Sequence, residues 1–359
     1  MPLPPDGLLQ LTPQGLYCPA AQAWIDPWRP VPRALITHAH ADHARPGCGE
    51  YWAVASSEAI LRRRLGAGIR LLPVDYGQLH RIGGARVSFH SAGHVLGSAQ
   101  IRLEAGGESW LVSGDYKRCP DPSCQPFAPV TADVLISEAT FALPIYRWRP
   151  AAQTVAEMLH WWRSCPDRPS LLFAYAFGKA QRILAELQAL GVEEEVLLHG
   201  AVQSLMEPYR EQGVAMVPTR PLAELERGAP LAGRLVIAPP AAHRSPWMRR
   251  LPDPQTAFAS GWMAVRGARR RRGTERGFVL SDHADWPGLL RTIRGSGARQ
   301  IYITHGSAAP LARYLREEEH LAAEPLEGAF AAERGEELLE AQSEVQFEVP
   351  AQAGGAPPA

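Results

Sequence analysis

Lysine is nearly missing from this sequence: only Lys117 and Lys179 occur, so 35 of the 37 basic residues are arginines. Much of that bias reflects a GC-rich, Arg/Ala/Pro-favouring source. Cysteine is scarce and scattered. Cys18, Cys48, Cys119, Cys124 and Cys165 are odd in number, which argues against a disulfide framework, and no second pair completes a zinc site with Cys119 and Cys124. No apolar run approaches the roughly 18 residues that a membrane span requires. The opening Met1-Pro2-Leu3-Pro4-Pro5-Asp6-Gly7 has neither a basic start nor a long apolar core, so neither export nor a membrane is indicated, and a cytoplasmic location is expected. Net charge is also lacking: 37 basic residues balance 37 acidic ones, so the whole chain does not look like an electrostatic binder of nucleic acid. No internal repeat stands out. With 46% apolar residues over 359 positions, there is enough for a large core in two or three domains.

What is present is concentrated in Thr37-His38-Ala39-His40-Ala41-Asp42-His43-Ala44, directly after the apolar Ala34-Leu35-Ile36. Three imidazoles and a carboxylate within six residues are what a site for borderline metal ions requires. In an extended segment His38 and His40 share a face, because the strand period is two, and both can reach one ion. Asp42 and His43 must then point elsewhere, which suits a second ion roughly 3.5–4 Å from the first. The competing reading is a His-rich surface loop.

Six residues cannot close two metal shells, so further ligands are required. Apolar runs end in ionisable residues at Val87 to His94, Trp110 to Asp115, Val134 to Glu138, Val279 to His283 and Ile301 to His305. Each reads as a buried strand delivering a polar side chain at its carboxyl end, where active sites of layered α/β folds collect. Asp26 ends another such run and is expected to brace the histidine loop from behind, although as a turn residue before Pro27 it needs no such role.

Along the chain, the opening to Pro32 reads as a hairpin or meander, Ser56 to Gly66 as a helix, and the following short strands turn at Gly83-Gly84 and Gly106-Gly107. Residues 1–144 read as the first part of one α/β unit. Tyr146-Arg147-Trp148-Arg149-Pro150 is a basic-aromatic linker into a helix from Thr154 to Arg163, with Thr154 as its cap and Glu157 at the capping-box position. Alternating strands and helices then suggest a small parallel sheet, and 145–275 reads as an insertion. Residues 276–349 return to the first unit, because the strands ending in His283 and His305 must complete the metal site. The tail 350–359 is low in complexity and expected to be disordered. Gly178-Lys179, at a helix start, offers amides and a cation to a phosphate. Between Ala241 and Arg276 lie nine arginines, Arg269 and Arg270 among them, against Asp253 and Glu275. That block could grip phosphates or be a solvated loop. Trp148, Trp247 and Trp262 could stack unpaired bases or simply fill the core.

HAHADH at 38–43, AGH at 92–94, SGD at 113–115, SEAT at 137–140, SDH at 281–283 and THG at 304–306 resemble the metallo-β-lactamase fold carrying a β-CASP nuclease insertion. Within that group the chain looks like bacterial proteins described as DNA-ligase-associated exonucleases, relatives of mRNA 3′-end processing and cross-link repair nucleases. The resemblance implies an αββα sandwich with the insertion as a lid over a cleft. It implies two zinc ions, with manganese or iron as alternatives: His38, His40 and His94 on the first, Asp42, His43 and His305 on the second, and Asp115 between them. Glu138 matches the acidic motif and His283 the histidine thought to act as general acid. Catalytic residues are thus expected at His283, Glu138 and Asp42, and substrate contacts at Lys179, Arg269 and Arg270. The implied activity is a DNA exonuclease working with a ligase or helicase partner in repair. Because members acting on RNA usually keep a histidine in the last motif, His305 keeps an RNA-processing enzyme as the alternative. A thioester or small-ester hydrolase could share the metal core, and a non-catalytic nucleic-acid clamp would be expected to have lost some ligands.

Overall fold

The computed structural model describes residues 3–226, 228–267 and 272–326; Arg269, Arg270 and the tail 350–359 lie outside the described residues. The first sheet holds β1 (Gln10–Thr12), β2 (Gly15–Cys18), β3 (Ala23–Ile25), β4 (Arg33–Leu35), β5 (Glu50–Val54) and β6 (Leu71–Val74) in chain order, antiparallel as far as β3 and parallel from there on. Helix α1 (Glu58–Leu65) follows β5, as the sequence pattern predicts.

A meander comes next: β7 (Leu79–Ile82), β8 (Ala85–Ser91), β9 (Ala99–Ala105) and β10 (Glu108–Val112) pair antiparallel. Its turns at Gly83 and Gly106-Gly107 sit at positive φ, where glycine carries no steric penalty. Strand β11 (Val134–Glu138) adds parallel to β10. After α2 (Ala151–Arg163) the chain builds a separate, wholly parallel sheet from β12 (Ser170–Phe173), β13 (Val196–Leu198), β14 (Thr219–Pro221), β15 (Leu235–Ala238), β16 (Gln255–Ala259) and β17 (Arg276–Phe278), in spatial order β14-β13-β15-β12-β16-β17. Helix α3 (Lys179–Ala189) leaves β12 in this unit. Strands β18 (Gln300–Thr304) and β19 (Ala322–Pro325) then return to the second sheet, β18 lying parallel beside β11.

Strand period explains the layering. In β11 the side chains of Val134 and Ile136 join the core between the first and second sheets, with Phe89, Ile101 and Tyr302, while Leu135 points the other way to the helices Trp286–Ser296 and Ala308–Glu317. A strand covered on both faces reads as a nearly continuous apolar run, as Val134-Leu135-Ile136 does, and all five residues of β11 are buried, Ser137 and Glu138 at its carboxyl end included. The outer face of the first sheet, Ala34, Tyr51 and Ala53, shares one core with α1 and with Met158, Trp161 and Ile183 of α2 and α3. A mixed α/β architecture of several sheets therefore stands as expected. No helix among the described residues is long and apolar enough to cross a membrane.

Two expectations are corrected. Thr154 does not cap α2; the helix begins at Ala151 after Pro150, and the Thr154 hydroxyl donates to the Val279 carbonyl at 3.3 Å. The strand preceding His283 does not return to the first unit either. It is β17, three residues long and paired with β16, because Phe278 packs against Trp161 of α2.

Candidate metal centre

The histidine stretch is a loop. Strand β4 stops at Leu35, and the amides of His43 and Ala44 both donate to the His40 carbonyl, so residues 40–44 curl into a turn. Ahead of this turn His38 and His40 stand together, with ring centroids 4.8 Å apart. Asp26 anchors the loop: its carboxylate accepts from the Thr37 amide (2.8 Å), the Thr37 hydroxyl (2.5 Å) and His43 Nδ1 (2.7 Å). The Arg64 guanidinium of α1 reaches the carbonyls of Ala39 and Ala44 from the other side. Asp26 sits at φ +43°, a left-handed conformation an aspartate adopts at some cost, and the three bonds hold it there.

Asp115, just past β10, is the hub. Its Oδ2 lies 3.4 Å from His38 Nε2, 3.5 Å from His43 Nε2 and 3.8 Å from His94 Nε2. His94 Nε2 is also 3.2 Å from His40 Nδ1. Among the described residues, His38, His40, His94 and Asp115 each bring one donor atom within 4.8 Å of the others, and so do Asp115, Glu138 and His283. Asp42, His43 and His305 gather more loosely. His43 Nε2 stands 3.4 Å from Asp42 Oδ2, and the His43 and His305 rings are 5.7 Å apart.

The electrostatics fit a cation. Burial, then the neighbouring His43, drives His38 well below its ordinary value, and burial with His283 does the same for His94, so both present neutral rings. Burial opposes the charge on Asp115, yet the adjoining histidines hold its carboxyl well below the usual range. Against burial, the carboxylates of Asp42, Asp115 and Asp26 push His43 well above its ordinary value. His38 Nε2 is buried without a hydrogen-bond partner, 3.4 Å from a carboxylate oxygen. An orphaned lone pair there costs about 1–3 kcal/mol unless something electrophilic takes it up. The nitrogen and oxygen donor set suits zinc, manganese or iron.

Beside the hub, His283 Nδ1 lies 3.0 Å from Glu138 Oε2. Glu138 ends β11 and is itself fixed, Oε1 by the Tyr116 amide (2.7 Å) and Oε2 by the Thr140 hydroxyl (2.5 Å). The Phe141 ring packs against His283, Trp148 and Trp262, both half-buried, and Trp148 Nε1 donates to the His283 carbonyl at 2.9 Å.

Lys179 does not stand at an open helix start. It is 3% exposed, its ammonium lies 3.1 Å from Asp282 Oδ2 and 4.4 Å above the Tyr175 ring, and Val95 closes over Gly178, so it is not presented to a phosphate. The sequence reading also passed over Thr37, Lys117, Asp121, Arg182 and Asp282. Lysine rarity was the one local signal that marked two of this group's partners.

The chain is similar to a protein named probable DNA ligase from Opitutus terrae, 34% identical over 307 residues, which make up 84% of this chain and 30% of that one. A ribonuclease from Thermus thermophilus is 27% identical over 200 residues, 46% of this chain and 45% of its own. The endoribonuclease YSH1 of Yarrowia lipolytica is 33% identical over 116 residues, 31% of this chain and 14% of its own. The chain thus spans less than half the length of each. No family model matches it. A protein of unknown function from Enterococcus faecalis shares its fold, with a TM-score of 0.54 at 12% identity, over 82% of this chain and 79% of that one. Two of these three relatives are thus named as ribonucleases and the third as a probable DNA ligase, and in this chain the His/Asp cluster supplies donors for a metal ion.

Proposed function

We propose that the chain is a dinuclear metal-dependent phosphodiesterase, acting in the cytoplasm as a DNA exonuclease in concert with a ligase. The observation that carries the chemistry is the pairing of two separate devices at one carboxylate: a histidine cluster around Asp115 and a Glu138–His283 couple beside it. In this reading an αββα sandwich, formed by 1–144 and the chain after Phe278, carries a β-CASP insertion from 145 to the end of β17. His38, His40 and His94 would hold one ion, Asp42, His43 and His305 the other, and Asp115 both. A bound ion pair supplies Lewis acidity, lowering the pKa of water and neutralising charge on a phosphoryl oxygen.

The chain's own residues do the rest. Glu138 Oε2 takes the Nδ1 proton of His283 as a hydrogen bond, which leaves Nε2 as the edge that gives a proton to the departing oxygen. Tyr116 and Thr140 keep Glu138 from turning away. Asp26, through Thr37 and His43, keeps the loop's imidazoles aimed inward. Half-buried Trp148 and Trp262 pack on Phe141, the ring that lies against His283, and form an aromatic surface suited to an unpaired base.

The ligase partnership rests on the match of most of this chain to under a third of a protein named as a probable DNA ligase. A ribonuclease is the second reading, favoured by His305 and by relatives named as ribonucleases. Matched end-labelled single-stranded DNA and RNA, each terminus blocked in turn, separate the two, with the Asp115→Ala protein as control. Stepwise shortening of DNA that one blocked end prevents is the expected result. Preference for RNA, or internal cuts indifferent to blocking, moves the chain to the ribonuclease reading, and no hydrolysis of either removes both.

A further inference from the structure

Both lysines of the chain end in one buried cluster. Lys117, two residues after Asp115, and Lys179, the first residue of α3, stand with Asp121, Arg182 and Asp282, and none of these five side chains is more than 6% exposed. Arg182 lies 3.3 Å from Asp121 Oδ2 through Nε and 3.3 Å from Asp282 Oδ1 through Nη1, and the same Nη1 donates to the Ser281 carbonyl at 2.7 Å. Lys117 pairs with Asp121, whose other oxygen accepts from the Ser123 amide and hydroxyl. The cluster therefore joins the loop after β10, helix α3 and the segment after β17.

Stability alone is a poor reason for it. Each buried charge costs several kcal/mol of desolvation, and apolar residues of similar volume would hold the same seam as well or better. What the cluster touches is more telling. Lys117 Nζ donates to the His94 carbonyl at 3.3 Å, and the Asp282 carbonyl accepts from His94 Nδ1 at 2.8 Å. His94 is thus gripped at its backbone and at its ring, with Nδ1 as donor and Nε2 left to face Asp115 and His40. In a chain that otherwise uses arginine, a compact ammonium stands at both places.

We infer that this cluster is a positioning device, through which Arg182 and Lys179 of α3 set the His94 ring, so that metal binding at His38, His40 and His94 is coupled to the seating of α3. The inference rests on the metal-centre reading above. By reciprocity, an ion held by His94 tightens the contact of α3 with the loop after β10.

The test titrates cobalt(II) into the chelator-stripped full chain, followed by visible absorption and calorimetry, with hydrogen exchange read over residues 179–189. Arg182→Lys keeps the charge but cannot hold Asp121, Asp282 and the Ser281 carbonyl at once. The double variant Arg182→Met/Asp121→Asn removes one charge of each sign. The expected result is a 10- to 100-fold weaker cobalt site with an altered spectrum, the range typical of losing a ligand's supporting partner, and loss of the slowing of exchange that cobalt brings in the wild type. Leu198→Ala, in the core of the third sheet, serves as a control that lowers stability without touching His94. Should the double variant not fold, Arg182→Lys carries the same comparison. Wild-type affinity and spectrum in the Arg182 variants would reduce the cluster to structural glue, whereas a wild-type chain that binds no cobalt would overturn the metal centre itself.

Discussion

At the scale of single residues, the proposed chemistry divides between His283 and Asp115. His283 is within hydrogen-bonding distance of Glu138 and packs against His94 with centroids 4.7 Å apart, yet the cluster of His38, His40, His94 and Asp115 closes without it. His283→Ala is therefore expected to retain metal while hydrolysis falls by roughly the 10²–10⁴ of lost general acid catalysis. Asp115 faces three imidazoles, so Asp115→Ala should lose both metal and activity. Metal content by elemental analysis, set beside the rate on one oligonucleotide, checks both. Metal lost from the His283 variant would make that residue a ligand, in keeping with the Asp115, Glu138 and His283 grouping. Full metal in the Asp115 variant would remove its bridging role.

At the scale of elements, the end of β18 shows how the backbone serves the site. His305 (φ +57°) and Gly306 (φ +48°) turn left-handed in succession, and the Ser307 amide then donates to the Ala139 carbonyl at 2.9 Å. A Cβ at position 306 would overlap that carbonyl, one residue past Glu138. Gly306→Ala should cost about 1–3 kcal/mol of backbone strain and displace His305. The denaturation midpoint and the metal stoichiometry report the two effects, and an unchanged midpoint would show that the turn tolerates a side chain. Such tight turns are where the sequence was readable: THG, SGD and AGH each put a glycine beside an ionisable residue at the end of an apolar run. Continuous apolar runs likewise announced β11 and β18, whose apolar residues divide between two cores. What could not be read depended on partners far along the chain. The apolar look of Val279-Leu280 concealed that the strand before His283 stops at Phe278 on the third sheet. Thr154 had a cap's neighbours but a carbonyl 125 positions away as its acceptor. Lys179 had a phosphate-binder's setting until Asp282 arrived from the end of the insertion.

At the scale of the molecule, the proposed ligands come from four stretches: the loop after β4, the turn after β8, and the ends of β10 and β18. The first sheet supplies only the histidine loop. The second supplies His94, Asp115 and His305, and the third sheet's unit braces His94 through Arg182 and Asp282. An ion bound among them would tie all three sheets together, while the histidines and carboxylates without it leave a buried ring nitrogen unsatisfied and acidic groups crowded. A ligand that binds only the folded state stabilises it by RT ln(1 + [L]/Kd), about 4 kcal/mol at a thousandfold excess over Kd. Removing metal with a chelator should therefore lower the melting temperature by several degrees and do so for the chain as one unit. Calorimetry of the stripped and reloaded protein is the check, with domain-specific hydrogen exchange read alongside it. If stripping moves only a transition confined to the first two sheets, the insertion is seated independently of the metal, and the centre is the property of one unit and not of the joint between them.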